Sequence, residues 1–156
     1  MIIGIDPGLS GAVAMFNAGN GFLVIHDMPT VQVKRGKSLK NEVSPAMLAL
    51  LLEQHDGHID RAFIEQVGAM PGQGVTSMFS FGRSVGMVEG VLASNYIPTY
   101  YVSPQTWQKA VGIKGKNESR ARAAQLFPRY ADYFSRVKDD GRADAALIAF
   151  YGETEG

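Results

Sequence analysis

The apolar positions fall into short unbroken runs early in the chain and into spaced stripes later on. Ile2-Ile3-Gly4-Ile5-Asp6 and Ala12-Val13-Ala14-Met15-Phe16 flank the turn Pro7-Gly8-Leu9-Ser10-Gly11, and Phe22-Leu23-Val24-Ile25 follows the polar loop 17–21. Runs of this length bounded by Gly, Pro and Asn predict three strands joined as an antiparallel meander. The polar, basic stretch 32–42 reads as a mobile loop. Ser44-Pro45 predicts a helix start, because the hydroxyl caps and proline has no N–H to lose in the first turn. Met47, Leu48, Leu51 and Leu52 form its apolar stripe, and Gly57 is its expected stop.

The next strand is Ala62-Phe63-Ile64-Glu65, followed by the loop 68–74 and a helix from Thr76 to Asn95. Tyr100-Tyr101-Val102 is a fifth strand. Ser103-Pro104 opens a short helix ending at Gly112, and Asn117 is the expected cap of another that stops at Phe127-Pro128. A last helix starts at Asp140 and runs to Gly152. This order predicts one α/β domain over residues 1–156, a mixed five-stranded sheet flanked by helices. The long helix carries Gly82, Gly86 and Gly90 on one face. Each interior glycine costs about 1 kcal/mol against alanine. Close packing on the parent sheet, or a contact with a second copy of the chain, is the expected compensation.

Composition narrows the chemistry. At 156 residues and 46% hydrophobic, the chain can bury a single core. It has no cysteine, which excludes disulfides, zinc-thiolate sites and cysteine nucleophiles. His26, His55 and His58 lack metal-pair spacing and suit surface or boundary positions. With no leader-like or long apolar run, an intracellular protein without a membrane partner is expected, in the cytoplasm or in an organellar matrix or nucleoid. The net charge of zero hides a segregation. Between 100 and 138, Lys109, Lys114, Lys116, Arg120, Arg122, Arg129, Arg136 and Lys138 face only Glu118 and Asp132. Lys34, Arg35, Lys37 and Lys40 form a second basic stretch. Basic walls around an acidic centre suit a protein that holds phosphates and cations, although segregated charge also describes an ordinary solvated face.

The acids are the sharper signal. Asp6 and Glu65 each end an apolar strand, and on neighbouring strands they would meet at one sheet edge. Asp140 and Asp144 lie four apart on one helix face, where like charges repel unless something positive lies between them. All-oxygen ligands favour Mg²⁺, with Mn²⁺ as a substitute, over zinc. Two such ions about 3.5–4 Å apart can activate water and stabilise a leaving oxygen in phosphodiester cleavage. Each acid also has a structural reading: Asp6 suits a turn, an edge glutamate is usually solvated, and Asp140 suits an N-cap. Asp144, between Ala143 and Ala145, is harder to explain that way. Around these acids, Lys109, Lys114, Lys116 and Arg120 are candidate phosphate contacts. The glycines of Gly112-Ile113-Lys114-Gly115-Lys116 permit close backbone approach. Lys34, Arg35 and Lys37 are a second candidate contact. Met70 and Phe79, with Met78 and Phe81, are candidates for a wedge between base pairs. Trp107 is expected to pack rather than stack on bases.

Three blocks, Ile3-Gly4-Ile5-Asp6-Pro7-Gly8, Phe63-Ile64-Glu65-Gln66-Val67 and Asp139-Asp140-Gly141-Arg142-Ala143-Asp144-Ala145, resemble the active-site blocks of RuvC-type Holliday junction resolvases. The likeness is to the branch found in phages and in bacterial and organellar genomes. Met70-Pro71-Gly72-Gln73-Gly74 and Ser103-Pro104-Gln105-Thr106-Trp107 also look like that branch, and the resemblance spans residues 1 to about 152. It implies an RNase H-like fold, a homodimer, and Mg²⁺-dependent symmetrical nicking of four-way DNA junctions. Asp6, Glu65 and Asp144 match the family's metal-binding carboxylates. The better-known members place a fourth acid three residues before the last aspartate, where this chain has Gly141. Asp140 is taken as the fourth ligand, with Asp139 in reserve. The aromatic that many bacterial members carry just after the glutamate is replaced by Gly68 and Ala69.

Other readings compete. Asp6-Pro7-Gly8-Leu9-Ser10-Gly11 also resembles the first phosphate loop of actin-like sugar kinases and ATPases. Those enzymes need a second such loop, which is not seen here, so no nucleotide cofactor is expected. A nuclease of the same fold cutting flaps, branched DNA or RNA–DNA hybrids is the alternative within the class. A non-catalytic junction binder is disfavoured by the intact acid set.

Overall fold

A computed structural model describes residues 1–55 and 58–154. Strands β1 (Ile2–Asp6), β2 (Ala12–Asn17) and β3 (Phe22–Asp27) form the expected meander. After β4 (Thr30–Arg35), β5 (Ser38–Val43) and α1 (Pro45–Glu53), β6 (Arg61–Glu65) pairs parallel to β1. Helix α2 (Val75–Ser94) leads to β7 (Thr99–Val102), parallel to β6, and α3 (Pro104–Val111), α4 (Ser119–Leu126) and α5 (Asp140–Thr154) complete the chain. The main sheet has the order β3-β2-β1-β6-β7, the mixed five-stranded arrangement expected.

Side chains alternate across β1, so Ile3 and Ile5 pack on one sheet face and Ile2 on the other. Leu48, Leu51, Val88 and Leu92 of α1 and α2 cover the first face. The second carries α5, together with Trp107, Phe127 and Phe134. Covering both faces is why these strands read as unbroken apolar runs. Helix α5 lies directly on β1, because a Cβ on Gly4 would strike the backbone of Ala145 and Ala149.

Several expectations change. Residues 32–42 are not a loop; β4 and β5 form an antiparallel hairpin, with Arg35 opposite Ser38 and Gly36 turning at φ 62°. Most of its side chains are exposed, so hydrophobic patterning was too weak to reveal it. Asn117 does not cap α4; it lies inside a 3₁₀ turn, Lys116–Glu118, that feeds the helix. Gly82, Gly86 and Gly90 do not pack on the sheet. They are exposed, and a Cβ on any of them would meet nothing within 4 Å. The stop expected at Gly57 lies outside the described residues. Among the described residues no helix is long and apolar enough to cross a membrane.

Candidate active site

The parallel register Ile5↔Ile64 places Asp6 and Glu65 side by side at the C-terminal ends of β1 and β6. In open α/β sheets this edge is where ligands bind. Because α5 is seated on β1, its second turn brings Asp144 to the same edge. The three carboxylates influence one another: Glu65 acts on the ionisation of Asp6, and Asp6 on that of Asp144.

Glu65 is 5% exposed, yet both its oxygens have partners. Trp107 Nε1 donates to Oε2 at 2.9 Å, and Lys116 Nζ approaches Oε1 at 3.4 Å. Lys116 Nζ also lies 3.3 Å from Asp144 Oδ2. Burial raises the Asp6 carboxyl above its usual range, against the pull of the Lys116 ammonium and the Gly8 N–H. Burial pushes Asp144 up to about 6, while the nearby Ser119 hydroxyl and Lys116 pull the other way. For Lys116, burial opposes the charge, but Asp144, Glu65 and Asp6 outweigh it and hold the ammonium above its ordinary value.

All-oxygen donors of this kind are those a hard divalent cation takes. Asp144 is 2% exposed, with Lys116 at its Oδ2 and the fully buried Ser119 hydroxyl as its other polar neighbour. A buried carboxylate is costly unless positive charge and hydrogen bonds compensate it, and here burial outweighs both neighbours. Among the described residues, no three acidic or imidazole side chains are close enough to share one ion. An ammonium, Lys116, bridges Glu65 and Asp144 instead.

Asp140 is not drawn into this group. Its side chain is 55% exposed and Arg120 Nε donates to its Oδ1 at 2.8 Å. Asp139 is buried, but Arg136 engages both its oxygens and its Oδ2 accepts from the Arg136 backbone N–H. Arg142 adds a longer contact at 3.7 Å. Asp139 therefore closes the turn before α5. At Gly141 a Cβ would strike the Ser10 carbonyl oxygen and lie 2.8 Å from Gly11 Cα. No acid fits there while α5 crosses this close to the β1–β2 turn.

The candidate DNA contacts are dispersed. Lys109 and Lys114 are exposed on α3 and the following loop, whereas Lys116 lies among the acids. Lys34 and Lys37 are exposed on the hairpin, and Arg35 makes a two-pronged pair with Glu42 at 2.7 and 2.8 Å. Met70 and Phe79 are both strongly exposed apolar side chains, Met70 in the loop after β6 and Phe79 on α2. Sequence reasoning missed Trp107 as the donor to Glu65 and Ser119 as a neighbour of Asp144, because both contacts are tertiary. It also did not foresee that His26 and His55 would meet, with their Nε2 atoms 3.1 Å apart.

With its mixed sheet and acids at the C-terminal strand edge, the chain has the RNase H-like fold of the RuvC-type resolvases. It is similar to Thermus thermophilus RuvC solved with a Holliday junction substrate, at TM-score 0.60 and 16% identity over 99% of this chain and 96% of that one. The fowlpox virus resolvase, solved with substrate Holliday junction DNA, matches at TM-score 0.54 and 17% identity over 97% of each chain. No family model and no curated protein matches the sequence.

Proposed function

We propose that this chain is a Holliday junction resolvase, an endonuclease that makes paired symmetric nicks in four-way DNA junctions. The observation that carries the reading is that Asp6, Glu65 and Asp144 reach one strand edge, around the Lys116 ammonium. The likeness in fold to two resolvases solved with junction DNA supports the substrate.

Asp6, Glu65 and Asp144 would hold the cations, Mg²⁺ or Mn²⁺, two per site, and Asp140 would be the fourth ligand in place of its pair with Arg120. When bound, such cations lower the pKa of an attacking water and neutralise charge on the leaving oxygen. The chain's own residues do the rest. Trp107 fixes the rotamer of Glu65, as a partner of a ligating carboxylate does. Lys116 balances the acids, and with cations bound it would be placed to meet a phosphate oxygen. Lys109, Lys114 and Arg120 flank the site, and Lys34, Arg35 and Lys37 on the hairpin hold a more distant arm.

A four-way junction has two strands to cut and this chain has one site, which makes a two-fold dimer the natural assembly. The exposed glycine face of α2 supports it. Gly82 and Gly86 border a cavity of about 300 Å³ with Val67, Met78 and Val85, where a second copy of the helix can approach closely.

The test is cleavage of a synthetic mobile junction, a plain duplex, a flap and an RNA–DNA hybrid, each with Mg²⁺. Symmetric nicks confined to the junction are expected, and Asp6→Asn abolishes them while junction binding persists. Equal cutting of the duplex or the hybrid would overturn the reading.

A further inference from the structure

The β4–β5 hairpin and the first half of α2 line an open cavity of about 490 Å³. We propose that it receives one unpaired nucleobase of the bound DNA strand, an inference that rests on the nuclease reading. The size is that of a small-ligand site. Its position is next to the chemistry. Leu9 lines it, and Leu9 belongs to the turn that begins at Asp6, whose Oδ1 accepts from Gly8 N at 3.3 Å.

A nucleobase has two apolar faces and a polar edge, and it arrives attached to phosphate. The cavity matches each part. Phe79, 73% exposed, and Phe81 supply aromatic surface for the faces. The Asn41 amide and the Ser77 and Ser80 hydroxyls offer donors and acceptors for an edge. Arg35, Lys40 and Arg83 stand against one acid, Glu42, whose two oxygens are already engaged by Arg35 and Arg83. Glu42 thus ties the hairpin to the helix and leaves the lining with net positive charge. An acidic protein segment would find no use for the aromatic surface, and an apolar one would bury the excess positive charge. A strand of DNA satisfies both.

The consequence is a means of opening the branch. The loop after Glu65 carries Gly68 and Ala69, with no aromatic to insert. Holding one base out of the stack beside the acids does the same work, at the unstacking cost that base-extruding enzymes meet.

Photocrosslinking tests this, with 5-iodouracil placed at successive positions in a four-way junction and in a short single strand of the same sequence, in EDTA. Crosslinks are expected on Phe79 or Phe81 with both DNAs. An abasic site at the crosslinking position is expected to weaken single-strand binding about tenfold. Ser80→Trp, which fills the cavity from an exposed helix position, is expected to abolish the signal, and Phe79→Ala, which removes one of its two aromatic walls, to weaken it, both with the fold intact by circular dichroism. Crosslinks that fall elsewhere, or that survive in Ser80→Trp, overturn the inference. So does a Ser80→Trp that converts a dimer to a monomer, because the occupant is then a second copy of the chain. Junction cutting without these crosslinks refutes the base site alone. Pocket crosslinks to the single strand without junction cutting refute the resolvase reading alone.

Discussion

Replacing Asp144 with asparagine is expected to stabilise the metal-free protein. Asp144 is 2% exposed, and burial moves its pKa from 3.8 to about 6 even with Lys116 Nζ 3.3 Å away. Each pKa unit corresponds to about 1.4 kcal/mol, so ionised Asp144 disfavours the fold by roughly 3 kcal/mol well above pH 6. The folded pKa lies above the unfolded one. The folded state therefore binds more protons, and its advantage is complete below the unfolded value and lost as pH rises through about 6. Asparagine does not ionise and escapes that loss. Urea denaturation in EDTA should find the two proteins alike near pH 4 and the variant more stable by about 3 kcal/mol near pH 8. Added Mg²⁺ should narrow the gap by stabilising only the parent protein. A variant less stable at pH 8, or a gap independent of pH, would refute the reasoning, because the aspartate would then be a structural partner of Lys116.

Trp107→Phe removes the donor to Glu65 and is expected to weaken Mn²⁺ binding by about 10- to 100-fold, as loss of a ligand's supporting partner typically does. Calorimetric titration measures it, and unchanged affinity with only lowered stability would make Trp107 a packing residue. Gly141→Asp is expected to destabilise the protein by about 1–3 kcal/mol, because its Cβ would strike the Ser10 backbone. A gain in metal affinity instead would show that α5 can shift to admit a fourth acid. Asp139→Asn should cost about 1–2 kcal/mol through its bonds to Arg136, with its effect on cutting following stability. Asp140→Asn should change stability by less than about 1 kcal/mol. Junction cleavage that collapses in the stable Asp140→Asn variant identifies Asp140 as the fourth ligand, and full activity removes it. The His26–His55 contact favours neutral His26, whose pKa burial lowers, so its contribution to stability is present above about pH 6.5 and falls as the solution is acidified.

Much of this protein is legible in the order of its residues. The unbroken runs Ile2–Ile5, Ala12–Phe16 and Ala62–Ile64 mark strands covered on both faces, and their length and bounding turns leave little choice of element. That Asp6 and Glu65 close their strands is likewise visible in the chain, as are the blocks around Asp139–Asp144. The hairpin over Thr30–Val43 escaped because its stability does not rest on a buried face: Arg35, Glu42 and Arg83 tie it to α2 by charge. Three matters were settled by the tertiary structure alone. Glycine spacing at Gly82, Gly86 and Gly90 looked the same whether the face met the sheet or lay open; only the packing of α2 shows it open. Two adjacent aspartates offered the same chemistry, until a turn gave Asp139 to Arg136 and the helix surface gave Asp140 to Arg120. The contacts of Glu65 with Trp107 and Lys116 join residues 42 and 51 positions apart. A linear pattern encodes which face of an element is apolar, but distances between faces arise only when the elements pack.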